Sequence, residues 1–590
     1  MSSKIMMIYS LSLLIHLSNT IFYGNFIKND KMINALSPVR NQNQPRPCGA
    51  SWAFAIASSM SDQFNARKDN NYPEVVLSPQ MLMSCFADSD SKTCDYEEKA
   101  SNFDMETMLL SLKDSGLSDE SCNNWNAATH ETCDKQAKCK DCANGENIHH
   151  EANCFSRDFH SYRLTSHKKL TSTQTDDSKK NQEISKAMLD ALNKSGPTIC
   201  AMRHSKKIFT TQWSRIDLYT ESAEETLDYV SWVPIVGYIE TPLNVKNRDK
   251  IKHLWVVRPS FGDLVGNLGL IYLDGTQTVN SLNILDNCYS ILINKEIQVI
   301  PNSDPKNSLL RPILTRTFDI TQPRFNFDSP KISLKADDGL NEDDTPLFWG
   351  NKDGINYMTW IKNQHIPVYC GSCWAQAATS VINDRLNIKN QKEGIFWPKH
   401  VLSVQSLINC RLGGSCFGGD SSLVYEIAKN WKIPTDSCRA YEAKNPDTFS
   451  CEGPSRCYNA DRDTNWPIEK FNGVTVEAWE MFRGETQIKK ALLDGPLACF
   501  IEVTDEFEKY TPKQDEKVIF NQKKDFFEVN HVVSIVGWGR DDVGVYWIVR
   551  NSWGVEYGYS GMFYIRNGNV LGLESNCMAP TKMTFRAWDQ

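Results

Sequence analysis

Several things are scarce in this 590-residue chain, and each absence closes off a class of function. There is no basic excess: 64 Lys and Arg stand against 72 Asp and Glu, a formal net charge of -8. That balance does not suit a dedicated nucleic-acid binder. Beyond the N-terminus there is no apolar run of 18 or more residues, so no second membrane signal is read. No pair of C-x2-C motifs, and no C-x2-C with H-x3-H, stands at zinc spacing, so neither a metal nor a cofactor is expected. Between Cys288 and Cys370 there is no cysteine at all.

Elsewhere cysteine is abundant. Nineteen of them, without metal-type clustering, point to an oxidising compartment. The odd total means disulfides plus at least one thiol that needs a role. The N-terminus agrees. Lys4 precedes an apolar stretch from Ile5 to Leu17, too short to span a bilayer and suited to a signal-peptide core. Residues 1–24 are read as that signal, cleaved between Ser18 and Gly24. With 41% hydrophobic and 23% charged residues the remainder is ordinary globular protein.

The chain repeats itself. Arg40-Asn41-Gln42, then Cys48-Gly49-Ala50-Ser51-Trp52-Ala53, matches Lys362-Asn363-Gln364, then Cys370-Gly371-Ser372-Cys373-Trp374-Ala375. In both copies nine positions separate the glutamine from Ser51 or Cys373. Leu77-Ser78-Pro79-Gln80 matches Leu402-Ser403-Val404-Gln405, and Gly196-Pro197 before Cys200 matches Gly495-Pro496 before Cys499. Trp255-Val256-Val257-Arg258-Pro259-Ser260-Phe261-Gly262 matches Trp547-Ile548-Val549-Arg550-Asn551-Ser552-Trp553-Gly554. Blocks in one order twice over predict two copies of one domain, at 25–300 and 346–590. The Pro-punctuated stretch 301–345 is read as a linker or a strap of the kind a pro-segment makes. Each copy carries its helical pattern first and its strand patterns later, which predicts α+β architecture with two lobes.

The second copy carries chemistry. Trp374 to Ile388 has helical spacing, which puts Cys373 at a helix N-terminus where the macrodipole favours a thiolate. His531 opens an apolar strand and can partner a thiol. Asn551 follows another strand, and its amide can orient an imidazole. Gln364 can join the Cys373 N–H in stabilising an oxyanion. A lone cysteine is ordinarily a small buried hydrophobe; the Gly-Ser-Cys-Trp context and the later His and Asn set this one apart.

These motifs resemble those of the papain-like cysteine peptidases, and within them the cathepsin X (or Z) group, from about Trp349 to Cys577. The resemblance implies two tandem papain-like domains, each with a helical and a β-rich lobe flanking a cleft. It implies Cys373 as nucleophile, His531 as base and acid, Asn551 as orienter and Gln364 in the oxyanion hole. Trp553 would cover the His–Asn bond, and Gly418 and Gly419 would line the non-primed cleft. The stretch Asn363-Gln364-His365-Ile366-Pro367, with a three-residue insertion between Gln364 and Cys373, implies a loop whose His365 holds a substrate's C-terminal carboxylate, making the enzyme a carboxypeptidase acting on peptides or proteins with a free C-terminus. A papain-like endopeptidase and a secreted peptide-binding protein are the competing expectations.

The family pattern also implies disulfides 48–94, 85–133, 122–139, 142–154, 200–288, 370–416, 410–451, 438–457 and 499–577, leaving Cys373 free. In the first copy the corresponding positions are Ser51, Ser231, Pro259, Phe261 and Asn43, with only Gln42 kept, so it is expected to be inert. It is also expected to lack the N-terminal strand of the fold. It could contact and shield the catalytic copy, without a covalent block because the linker has no cysteine. No nucleic acid is expected as a partner, and no membrane once the signal is gone; the expected location is the secretory pathway, in a lysosome-like compartment or outside the cell. Asn193-Lys194-Ser195 reads as a glycosylation sequon in a loop.

Overall fold

The computed structural model describes residues 34–303 and 345–587, apart from 70, 87–93, 95–102, 129–131, 144–153, 211–217, 221–225, 241–252, 396–398, 461–463, 511–516 and 525; the backbone alone is described at 21–22, 25–28, 31–33, 210, 240 and 317–319. Most of the signal segment and of the 301–345 strap lies outside these residues.

Each copy is built around one long helix and one twisted sheet. In the second, Cys373–Lys392 is buried at every residue as far as Leu386, polar ones such as Asn383 and Asp384 included, so this helix runs through the core. It packs on the strand His531–Arg540, whose run HVVSIVGWG is buried throughout, the pattern of a strand covered on both faces. The sheet order is Met562–Arg566, Val545–Arg550, His531–Arg540, Leu497–Ile501, Cys577–Arg586, Gly473–Phe482. The first copy repeats it as Ile271–Asp274, His253–Val257, Tyr229–Glu240, Thr198–His204, Cys288–Ile293, Leu164–Leu170, packed on the helix Ser51–Arg67. Buried ion pairs match as well: Arg258 with Asp62 at 2.6 Å and Arg550 with Asp384 at 2.7 Å. All nine disulfides form with the pairing the family pattern implies, and Cys373 is left free.

Three expectations need correction. The first copy does have the N-terminal strand: Ile21–Phe22 pairs with Tyr238 and Gly237, just as Leu347–Phe348 pairs with Trp538 and Gly537. Those two residues fall inside the stretch read as the end of a signal, where an apolar strand and an apolar leader look alike. The linker also begins late. Asn302 donates to the carbonyls of Lys135 and Arg157, and Asp158 accepts from Ser303; Thr317–Asp319 adds an edge strand to Glu296–Ile300. Asn193 lies exposed in the last turn of the helix Asp177–Lys194 and not in a loop.

The two copies meet through equivalent residues. Asn41 Nδ2 donates to the Ser437 carbonyl at 2.9 Å, and Asn363 Nδ2 to the Ser121 carbonyl at 3.1 Å. The Asp263 N–H donates to Ser437 Oγ and the Val555 N–H to Ser121 Oγ. Gly262 and Gly554, at φ +82° and +81°, sit where a Cβ would approach those same two carbonyl oxygens at 3.3 and 3.2 Å, so only glycine fits both the turn and the contact. Other contacts have no counterpart: Tyr72 enters the second copy's core and donates to the Ser560 carbonyl, and His160 pairs with Glu556 at 2.5 Å. Between the copies lies a cavity of about 60 Å³, walled in part by Arg40, Glu120, Lys362 and Asp436.

Candidate active site

The loop from Lys362 to Cys370 is held by its own side chains. The Gln364 N–H donates to the Ser552 carbonyl. Gln364 Oε1 accepts from Ser552 Oγ at 2.6 Å, and its Nε2 donates to the Cys370 carbonyl at 3.1 Å. Tyr441 Oη donates to the Gln364 carbonyl at 2.8 Å. The amide carbon is therefore fixed in place while Nε2 keeps a second N–H to offer, as an oxyanion donor requires.

Cys373 is the first residue of its helix and is buried. Backbone N–H groups of Val532, Trp374 and Cys373 itself interact with Sγ. The Val532 contact puts the thiol against the residue that follows His531. His531 Nε2 meets Asn551 Oδ1 at 2.8 Å, and the Ser552 N–H holds the same oxygen at 2.9 Å. The indole of Trp553 lies 5.1 Å from the His531 ring, and Trp553 is buried.

The electrostatics differ from the simple expectation of a thiolate made by a helix N-terminus. Burial pushes the Cys373 thiol up to about 11, and the N–H groups only partly offset it. Burial likewise pushes His531 down to about 4, against the pull of Asn551. A lone charge on either group is unfavourable in this setting.

His365 stands on the same loop, stacked on Tyr369 with ring centroids 4.9 Å apart and 6.0 Å from Trp553. One indole thus lies near both imidazoles. Gly418–Gly419 forms a short ladder with Gly414–Ser415. A Cβ on Gly418 would meet nothing within 4 Å, whereas one on Gly419 would come within 2.7 Å of Trp374. One side of that strand is open for an extended chain. All eight residues singled out from the sequence therefore belong to one neighbourhood or its rim. Sequence reasoning missed Ser552 and Tyr441; the signal for Ser552 was present, because Gln42 with Ser260 and Gln364 with Ser552 are polar pairs that persist in both copies.

In the first copy the Trp232 N–H donates to Ser51 Oγ at 3.0 Å, the contact that Val532 makes with Cys373. Ser260 Oγ holds Gln42 Oε1 at 2.6 Å and Gln42 Nε2 reaches the Cys48 carbonyl at 2.9 Å. The base is what differs. His204, wholly buried, meets Ser231 Oγ at 2.9 Å through Nε2 and the Ser205 carbonyl at 3.0 Å through Nδ1, and burial pushes it down to about 4. Its ring nitrogens are engaged by those two oxygens and not by Ser51.

Among the described residues no cluster of His, Cys, Asp and Glu could hold a metal, and no helix is long and apolar enough to cross a membrane. Comparison with known proteins finds the model of the papain family cysteine protease matching residues 27–291 and again 347–581. The chain is similar to cathepsin Z of Onchocerca volvulus, 37% identical over 233 residues, 39% of this chain and 72% of that protein. It is 28% identical over 243 residues to cathepsin B-like cysteine proteinase 3 of Caenorhabditis elegans, covering 38% of this chain and 62% of that one. Among solved structures, digestive procathepsin L 3 of Tenebrio molitor larval midgut aligns with 41% of this chain and 72% of its own at 23% identity and a TM-score of 0.33.

Proposed function

Because the chain belongs to the papain family of cysteine proteases, we propose that its second domain, 346–590, is a cysteine-type carboxypeptidase and that its first, ending near residue 303, does no catalysis. Cys373 Sγ passes its proton to His531 and attacks the scissile carbonyl. The oxyanion is met by Gln364 Nε2 and the Cys373 N–H. His531 then gives the proton to the leaving amine, and an acyl-enzyme remains. Water, deprotonated by the same imidazole, hydrolyses the thioester and restores the thiol. Asn551 keeps the ring turned to both tasks, and Trp553 shields the Asn551 contact from water.

The observation that carries the exopeptidase reading is the position of His365. It shares the Trp553 indole with His531, at 6.0 and 5.1 Å, which supports a role for it on the leaving-group side of the bond to be cut. An imidazolium there meets a free C-terminal carboxylate and gains nothing from an amide. The open strand at Gly418–Gly419 takes the acyl side of the substrate.

The oxyanion apparatus of the first domain remains, but Ser51 has no base, and a hydroxyl without one is a poor nucleophile. Eighteen cysteines in bonds support a secretory or lysosomal setting, and the apolar stretch Ile5 to Leu17 fits a leader that would take the chain there. The test is a pair of matched peptides, free acid and C-terminal amide, given to the wild type and to Cys373→Ala. Loss of single C-terminal residues from the acid only, and only with the wild type, is the expected result. Internal cutting of both would leave a cysteine endopeptidase; no cutting by a folded chain would leave a peptide binder.

A further inference from the structure

The first domain touches the proposed substrate anchor directly. His365 Nδ1 lies 3.3 Å from Oδ1 of Asp141, a residue of the short strand Lys140–Cys142. We propose that Asp141 is a positioning residue for the peptidase site: the inert domain supplies the carboxylate that fixes His365, and so helps select substrates with a free C-terminus. The inference rests on the carboxypeptidase reading of His365.

Asp141 is held as a fixed group. Its Oδ2 takes Arg157 Nη1 at 2.9 Å, and its Oδ1 also accepts from the Cys142 N–H at 3.0 Å. The strand carrying it pairs with Cys154–Ser156 and is closed by the Cys142–Cys154 disulfide. The two sulfurs of that bridge lie 3.5 and 3.7 Å from the Pro367 carbonyl oxygen, so the hairpin abuts the loop that bears His365. Arg157 reaches further, donating to the Glu556 carbonyl, which ties the hairpin to the second domain on its other side.

A carboxylate so anchored is not built to be displaced. With Nδ1 facing Asp141, Nε2 is the ring nitrogen left for a ligand, and the His365 side chain keeps 15% of its surface. Between two carboxylates the ring donates from both nitrogens, which only the imidazolium can do. Charge-assisted pairing of this kind supports a ligating histidine from behind.

The mirrored position argues that the pair is specific to the active cleft. The disulfides 122–139 and 438–457 are equivalent, so Asp141, two residues after Cys139, corresponds to Asn459, two after Cys457. The local turn is the same, since the Ala460 N–H donates to Asn459 Oδ1 at 3.0 Å. The residue equivalent to His365 is Asn43. Where the cleft has its catalytic residues, the loop and the opposing strand carry His and Asp; where it lacks them, Asn and Asn.

The experiment uses the full chain with the acid and amide peptides, and counts folded sites in every variant by labelling Cys373 with a thiol-directed electrophile. In D141N the KM for the acid should rise about tenfold, with kcat changed less than about threefold and the labelling rate unaltered. D141E, which keeps the charge but moves it by a methylene, should raise KM less. In a His365→Asn background D141N should add nothing, a coupling that a purely structural role would not produce. An unchanged KM in D141N would overturn the inference, and so would faster turnover of the acid, which would make Asp141 a plug. Should D141N fail to label, D141E decides in the same way: a raised KM for the acid supports the role, an unchanged one overturns it. If the wild type treats acid and amide alike, it is the reading of His365 that fails, before Asp141 is reached.

Discussion

The two domains share a scaffold and differ in the side chains gathered at one spot. Both have the same six-strand order, the same buried Arg–Asp pair and the same glutamine braced by a serine. Even the backbone N–H aimed at the nucleophile position survives, from Trp232 to Ser51 Oγ in one and from Val532 to Cys373 Sγ in the other. What differs is the set of side chains to which the proposed mechanism gives its proton transfers and their shielding: Ser51 stands for Cys373, Ser231 for His531, Pro259 for Asn551, and Phe261 for Trp553. The comparison teaches which parts of a thiol peptidase serve the fold as well as the reaction. Gln42 and Gln364 each tie a loop to a strand, so deleting the glutamine would cost structure; the nucleophile and base carry no such load and can be replaced.

The sharpest way to break this contrast is to write the first domain's residue into the second. Cys373→Ser should lower peptide turnover by at least about 10³-fold, because a hydroxyl is far less acidic than a thiol and the site was shaped around sulfur. A serine-directed fluorophosphonate should label neither Ser51 nor Ser231 in that variant. Labelling of either, read by peptide mapping, would mean that His204 activates a serine and that the first domain has its own chemistry.

A smaller effect concerns the acids at the junction. Burial raises Glu120 to about 7 and its counterpart Asp436 to about 6. A carboxyl whose folded value is raised binds more protons folded than unfolded between the two values. Its contribution to stability therefore falls as pH rises, from about 4.5 to 7 for Glu120 and from about 4 to 6 for Asp436. The buried His204 and His531, both pushed down to about 4, act in the opposite sense as pH falls below about 6.5, so the difference between variant and wild type is the quantity to follow. The Tm of Glu120→Gln minus that of the wild type should climb by a few degrees between pH 5 and 7.5, and for Asp436→Asn the climb should be complete near pH 6. Scanning calorimetry reads both.

The smallest effect tests the mirror itself. Asn41→Ala and Asn363→Ala each remove one side-chain hydrogen bond across the junction, worth about 1 kcal/mol. Chemical denaturation should show matching losses for the two. A clear inequality would mean that the junction is not balanced about its centre.

Much of this was legible in the sequence. The repeat gave the architecture, the family pattern gave every disulfide, and the helix after Cys373 and the strand after His531 start where the spacing put them. What could not be read had physical reasons. Ile21–Phe22 is an apolar pair beside an apolar leader, and no spacing rule separates the two. Asp141 lies 224 positions before His365 and within a C-x-x-C stretch, so its partner appears only when one domain is laid against the other. Burial pushes the Cys373 thiol up, and a helix N-terminus visible in sequence says nothing of how much water reaches it.

The matched contacts of Asn41 with Ser437 and of Asn363 with Ser121 carry one more consequence. A junction in which each side offers the same residues is self-complementary, the kind of surface through which two copies of a single unit pair about a twofold axis. Two free units would pair only above their dissociation constant. Joined on one chain, each sees the other at a high local concentration whatever the dilution. Once pairing no longer depended on abundance, one partner could give up its own turnover without the assembly coming apart.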